Sequence, residues 1–357
     1  EKAGVQLLDY GKTGLLAPGE SETLTITADM QYMVSWDSTA ANAAGTLGCY
    51  ILDQGIYTFT VGENAHEAAN NVLSLLGYTE ADGMTGSGNT ALAQQWTLEA
   101  LDKESFAFTK NHTAVENHLQ DMDLNYWLPG TVTYLSRSDW EATWPKTYRD
   151  ITATDDMMEL LDSDTYEITD NGNPEEVVFS AENGLALADL RNNSNFDDPL
   201  WDKLMDQLSL EEAMKRVAFG GVSTKAMDSI HSPEAVQNDG PNGIYSYPLG
   251  QYANYNADSG DPCTVTEGDI NLSYKAGVMP CETVIAQTFS KELAYAYGKL
   301  MGNYSLWANL PIYWGCGTNY HRSAYNGRNH EYYSEDIVLT AFQGAEFVRG
   351  GLEYGCL

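Results

Sequence analysis

The sequence predicts a multidomain chain, a β-sandwich followed by a parallel α/β domain, and three observations carry that reading. In residues 1–62 apolar side chains alternate with threonines at period two, as half-buried strands require. From about residue 196 short apolar strands alternate with amphipathic helices, the texture of a parallel sheet with helical crossovers. The length, 357 residues, is too great for one ordinary domain and comfortable for two.

The elements follow in chain order. A Pro18-Gly19 turn precedes Ser21–Thr27, where Leu24 and Ile26 alternate with threonines and predict a strand. Ile56–Val61 alternates in the same way after the turn Asp53-Gln54-Gly55. About four strands can be counted where an antiparallel sandwich needs about seven, so the sandwich reads as partial. Residues 79–90 have the Gly/Ser/Thr composition of a linker. Mixed polar segments with aromatic islands at Asn125–Gly130 and Thr143–Pro145 follow and predict no regular fold.

Ser209 and Glu212 form a capping box that opens a helix, and Gly220-Gly221 stops it. Ala235–Gln237 reads as a short strand ending at Asn238-Asp239-Gly240-Pro241, and Val284–Ala286 as another. Ser290 caps a helix whose apolar face includes Leu293, Tyr297, Leu300, Met301 and Tyr304. Leu310–Trp314 is the third strand. A last helix runs from about Ser334, with Val338, Phe342, Ala345 and Val348 on one face, and closes at Gly350-Gly351.

Composition narrows the partners. Lys plus Arg number 18 and Asp plus Glu 51, a formal charge of −33 that repels phosphate backbones, so nucleic acid is not an expected partner. The five cysteines, Cys49, Cys263, Cys281, Cys316 and Cys356, are odd in number and lack CxxC or Cys/His spacing. They predict neither a disulfide framework nor a zinc site; they read as core or free thiols, with a Cys263–Cys281 bridge left open. No run of about 18 apolar residues is present to span a membrane. No cofactor or metal is expected. The opening residues, Glu1–Gly14, read neither as a signal peptide nor as the start of a domain.

Two loops carry candidate chemistry, each after a predicted strand, where α/β barrels place their active sites. In Asn238–Gly243, Asp239 offers a carboxylate able to accept two hydroxyl hydrogen bonds, within a tight turn of glycines and proline. A bare Asp-Gly-Pro turn would read the same way. In Asn319–Asp336, basic, acidic and aromatic side chains cluster densely in an otherwise acidic chain. Arg328 can donate in a planar fork to vicinal hydroxyls, and Glu331, three residues on, can pin it. Glu335 and Asp336 read instead as complements to the N-terminus of the following helix.

Together the loops carry a resemblance. DGPNG (239–243), followed about ninety residues later by GRNHEYYSED (327–336), resembles the N-terminal barrel domain of glycoside hydrolase family 3. The intervening ETVIAQTFSKELAYAYGKLMG (282–302) is similar to that family's run between the two motifs. LLAPGESETLTI (15–26), SWD (35–37) and GIYTFTVGENAHEA (55–68) resemble the family's fibronectin type III-like domain, which here precedes the barrel, as in members found mostly in anaerobic gut bacteria. FSAENGLALADLR (179–191) is also similar to those members.

The resemblance implies a fibronectin type III-like domain over 1–66, a connecting region over 67–195, and the beginning of a TIM-type (β/α)8 barrel over 196–357, both end domains being partial. Residues 201–357 fall short of the about 250 that a closed barrel needs. It further implies a retaining β-glycosidase of carbohydrate catabolism, foremost a β-glucosidase acting on terminal non-reducing β-D-glucosyl residues. Asp239 matches the family aspartate that holds glycone hydroxyls, and Arg328 the arginine that binds the same sugar; Arg322 and Glu331 occupy matched supporting positions. The family often has an arginine just beyond DGPxG, where this chain has Ile244, Tyr245 and Ser246.

Retaining glycosidases need two carboxyl groups about 5–5.5 Å apart. By the resemblance, the nucleophilic Asp falls beyond Leu357 and the acid/base Glu before Glu1, so no catalytic residue is assigned and the chain alone is expected to be inactive and of low stability. Ser138-Asp139-Trp140 spells the tripeptide around the family nucleophile, but it precedes the barrel and reads as a linker. The acidic stretch from Asp162 to Glu176 lacks the spacing of an EF-hand and reads as a solvated segment. The expected partner is an oligosaccharide or β-glycoside. A non-catalytic sugar-binding or scaffold module is the alternative. The sugar and linkage, the compartment (extracellular, cell-surface or cytoplasmic) and a homo-oligomer through other domains stay open.

Overall fold

Period-two alternation builds strands in the first half of the chain, though not at Ser21–Thr27. The computed structural model describes residues 5–134, 140–143, 150–162, 177–220, 223–240, 242–243, 279–308 and 310–356. The chain divides into two units: Glu1–Leu8 with Ala28–Asn171, and Asp9–Thr27 with Gly172–Leu357.

In the first unit β1 (Ser35–Ala41) pairs antiparallel with β2 (Leu47–Ile51), and β3 (Gly55–Thr60) with β4 (Ala93–Leu98). The predicted strand at Ile56–Val61 is thus present as β3. Its partner lies beyond α1 (Ala65–Leu75), which Asn64 caps by accepting from the Glu67 N–H. Buried Asn71 ties the helix to the sheet: its amide donates to the Val61 carbonyl (3.0 Å) and accepts from the Asn89 N–H (2.7 Å). Cys49, Ile51, Leu52, Ala93 and Ala107 form the buried apolar set.

The second unit opens with a segment the sequence assigned differently. The Pro18-Gly19 turn closes as expected, with the Glu20 N–H donating to the Ala17 carbonyl at 3.0 Å. Ser21–Thr27, however, pairs with no strand among the described residues. Leu24 and Ile26 lie against Gly11, at 3.5 and 3.6 Å from where a β-carbon would stand, so the alternation serves local packing rather than a sheet. Tyr10 meets Phe289 edge to face, 5.5 Å between centroids, and its hydroxyl accepts from the Gln343 amide (2.8 Å). Lys291 pairs with Asp9 at 2.7 Å.

Asp198 caps α2 (Pro199–Met205), and Ser209 with Glu212 forms the predicted box on α3 (Leu210–Phe219). Leu190, Leu204, Leu208 and Ile230 make a small core beneath them. The sheet has the order β5-β6-β7: β5 (Ser223–Thr224) is antiparallel to β6 (Ala235–Asn238), and β7 (Ile312–Tyr313) is parallel to it. Predicted strands at 235–237 and 310–314 are therefore found.

Val284–Ala286 is a correction. It belongs to a helix, α4 (Glu282–Ala286), in which Ile285 and Ala286 are buried. A three-residue apolar run fits a buried helical turn as well as a strand.

The helices α5 (Lys291–Ala308) and α6 (Ile337–Leu352) form where predicted, and Tyr297, Met301 and Val338 of the predicted faces are buried, but each buried face is rotated from the predicted one. The buried stripe of α5 runs through Ala294, Tyr297 and Met301, and that of α6 through Leu339, Gln343 and Phe347. Leu293, Leu300 and Val348 are exposed. Glycines set the contact: a β-carbon at Gly298 would overlap the Phe347 carbonyl, and one at Gly350 the Tyr295 carbonyl. Close backbone approach thus outweighs apolar spacing, and α6 continues through Gly350-Gly351 to Leu352. Cys49 and Cys316 are buried free thiols, Cys281 is a half-buried one, and Cys356 is buried. Cys263, Asp139 and residues 163–176 lie outside the described residues.

Candidate glycone-binding loops

Because β6 and β7 run parallel as neighbours, the loops leaving their C-terminal ends open on the same edge of the sheet. The first loop begins at Asp239. Its carboxylate accepts from the Gly240 N–H at 2.7 Å, and the Tyr313 hydroxyl donates to the Gly240 carbonyl. Gly240 and Gly243 take φ of 148° and 111°, backbone that a side-chain-bearing residue rarely adopts, which fits the tight turn read from the sequence. Beyond it, Met279 N–H donates to the Asn242 carbonyl (2.8 Å) and the Asn242 amide to the Met279 carbonyl (3.2 Å). Trp314, after β7, donates to Gln237 on β6 at 2.7 Å. The turn is thus held from both strands.

The second loop follows β7. It contains a parallel pair, β8 (Gly317–Tyr320) and β9 (Tyr332–Ser334), joined by residues that end in a 3-10 turn, Asn329–Glu331. Arg328 donates through Nε to Glu331 Oε1, as the spacing of three foretold. The Glu331 side chain is 9% exposed and that of Arg328 64% exposed, so a buried carboxylate fixes the root of an exposed fork. The Arg328 guanidinium also lies 6.0 Å from the Tyr332 ring centre, and the Arg328 backbone N–H donates to Asn326 Oδ1 at 3.1 Å. Since Glu331 takes Nε, the terminal guanidinium nitrogens are the part left to donate beyond this pair.

Of the sequence-derived candidates, Arg328 and Glu331 are brought into direct contact. Asp239 joins them through topology, one strand away. Arg322 is exposed on the same loop as Arg328, its N–H donating to the Tyr320 carbonyl at 2.9 Å. Asp336 caps α6 by accepting from the Val338 and Leu339 N–H groups, both at 2.9 Å, the structural role read for it. Residues 244–246 lie outside the described residues.

Two residues were not singled out from the sequence. Glu282, at the start of α4, accepts from the Gly317 N–H at 3.2 Å. It is 1% exposed, and burial pushes its carboxyl up to about 7 against hydrogen bonds from its own and the Gly317 N–H. The Thr283 hydroxyl lies 2.8 Å from the Tyr332 carbonyl. An acidic residue heading an apolar triplet was the one available signal.

Comparison with known proteins finds similarity to β-glucosidases. The chain is 25% identical over 361 residues to a β-glucosidase of Ruminococcus albus, covering 98% of this chain and 30% of that protein. That likeness agrees with the resemblance to glycoside hydrolase family 3 read from the two loops. β-Glucosidase A of Butyrivibrio fibrisolvens is 24% identical over 346 residues, 96% of this chain and 35% of that one. The chain thus spans about a third of the length of these curated relatives. No protein-family model matches it. Its fold is that of a β-glucosidase from Paenibacillus barengoltzii, with a TM-score of 0.50 at 18% identity over 96% of this chain and 31% of that one. This likeness supports an α/β multidomain chain.

Proposed function

We propose that the whole protein is a retaining β-glucosidase releasing terminal non-reducing β-D-glucosyl residues, and that this chain supplies part of its glycone subsite. Asp239 and Arg328 bind the sugar, with Glu331 orienting Arg328 and Arg322 in support. One observation carries the reading: loops leaving the C-terminal ends of neighbouring parallel strands bear a carboxylate and a buttressed guanidinium. A carboxylate accepts from two vicinal hydroxyls, and an arginine fork donates to their oxygens, so the pair suits a polyhydroxylated ring. The proposal assigns no catalytic carboxylate to residues 1–357 and retains the order of a fibronectin type III-like domain, a connecting region and the beginning of a barrel.

The test is Asp239→Ala in the whole protein, assayed on an aryl β-glucoside. Two hydrogen bonds to a charged group, at about 1.5–3 kcal/mol each, predict a fall in kcat/KM of at least about 100-fold. Unchanged turnover refutes the assignment. Loss of glucose binding in a parent with no measurable hydrolysis of any glycoside would favour a non-catalytic sugar-binding module.

A further inference from the structure

The arginine loop is gripped by the first turn of α4, through contacts that involve neither Asp239 nor Arg328. The Thr283 hydroxyl faces three carbonyls of the stretch after Arg328: those of Tyr332 (2.8 Å), His330 (3.0 Å) and Asn329 (3.4 Å). It has one proton, so Tyr332 is its main acceptor. Glu282 holds Gly317 at 3.2 Å, and Gly317 is the β8 residue that pairs with Tyr332 on β9. Adjacent side chains thus hold both strands between which the loop with Arg328 is slung.

Glu282 is a costly residue for a merely structural peg. It is 1% exposed, and its second carboxyl oxygen has no hydrogen-bond partner among the described residues. Unsatisfied buried polar atoms are uncommon and call for a reason. Its acceptor role toward Gly317 does not require charge, which accords with a carboxyl whose titration burial has raised.

We propose that Glu282 and Thr283 are positioning residues that set the placement of Arg328 in the glycone subsite, an inference that rests on the assignment of Arg328 above. Displacing a ligand-binding group by about 1 Å can cost about 100-fold, so losing one of two anchors has a kinetic signature as well as a structural one.

The experiment is a double-mutant cycle in the whole protein, reading kcat, KM for an aryl β-glucoside, the inhibition constant of glucose, and melting temperature. Thr283→Val is expected to raise KM and the glucose inhibition constant together by about ten-fold, with a smaller change in kcat, and Thr283→Ser to restore most of the loss. In an Arg328→Ala background the same Thr283→Val change should add little, because its effect acts through the arginine. An unchanged KM in Thr283→Val, or an effect that persists in full without Arg328, overturns the proposal. If Thr283→Val does not fold, Glu282→Met against Glu282→Gln decides by the same criteria, with Gln keeping an acceptor for Gly317. Failure of the subsite assignment is separate: there Arg328→Ala alone leaves KM and glucose inhibition unchanged.

Discussion

Glu282→Gln should reshape how stability depends on pH. Burial raises the carboxyl from 4.5 to about 7 in the folded chain, so between those values the folded state binds a proton that the unfolded state has released. The stabilisation from protonated Glu282 is therefore fully present below pH 4.5 and is lost as pH rises through 7. At 1.36 kcal/mol per pH unit, the interval from 4.5 to about 7 corresponds to about 3 kcal/mol. Glutamine has no such proton to lose. Urea unfolding followed by tryptophan fluorescence at pH 4.5, 6 and 8 measures the difference between the two proteins. Relative to wild type, the variant should gain about 3 kcal/mol across that range. Titrations common to both proteins, histidines included, cancel in the difference. A free-energy difference that stays flat from pH 4.5 to 8 would show that Glu282 is not a buried carboxyl of this kind.

Glu212 supplies the opposite case. Desolvation alone would raise it, but hydrogen bonds from the backbone and side chains of Ser229 and Ser209 dominate and lower it from 4.5 to about 2. Ser229→Ala should thus destabilise the chain at pH 7 by about 1 kcal/mol. The deficit should shrink as pH falls through about 2, read from the same urea curves. At the helix contact, Gly298→Ala drives a methyl into the Phe347 carbonyl and should lower stability by about 1–3 kcal/mol, seen as a lower melting temperature.

Much of this architecture was legible in the sequence where the determinant is local. The Ser209/Glu212 capping box, the strand at 235–237 and the Arg328–Glu331 pair all depend on residues at most a few positions apart, and all three are present. The misreadings share the opposite cause. Leu24 and Ile26 alternate like a strand, yet pack on Gly11 across their own turn. The faces of α5 and α6 are set by where Gly298 and Gly350 let backbones touch, which no apolar periodicity encodes. Thr283 reaches carbonyls 46 to 49 residues away, a relation that only the fold creates.

The segment Asp9–Thr27 has a practical corollary. Lys291 sits between the rings of Tyr10 (4.9 Å) and Phe342 (4.4 Å) while paired with Asp9, and burial in this nest pushes the Tyr10 hydroxyl up to about 12. The α/β unit is therefore discontinuous in sequence, stitched by a thread that returns to it from the N-terminal side. Anyone trimming the gene to isolate the α/β unit by starting after Thr27 would pull out that thread. Lys291 would lose its counter-ion, the Gln343 amide its phenolic acceptor, and the Phe342 ring its aromatic neighbour. A working boundary lies upstream of Asp9, or else the two stretches must be joined by a designed loop.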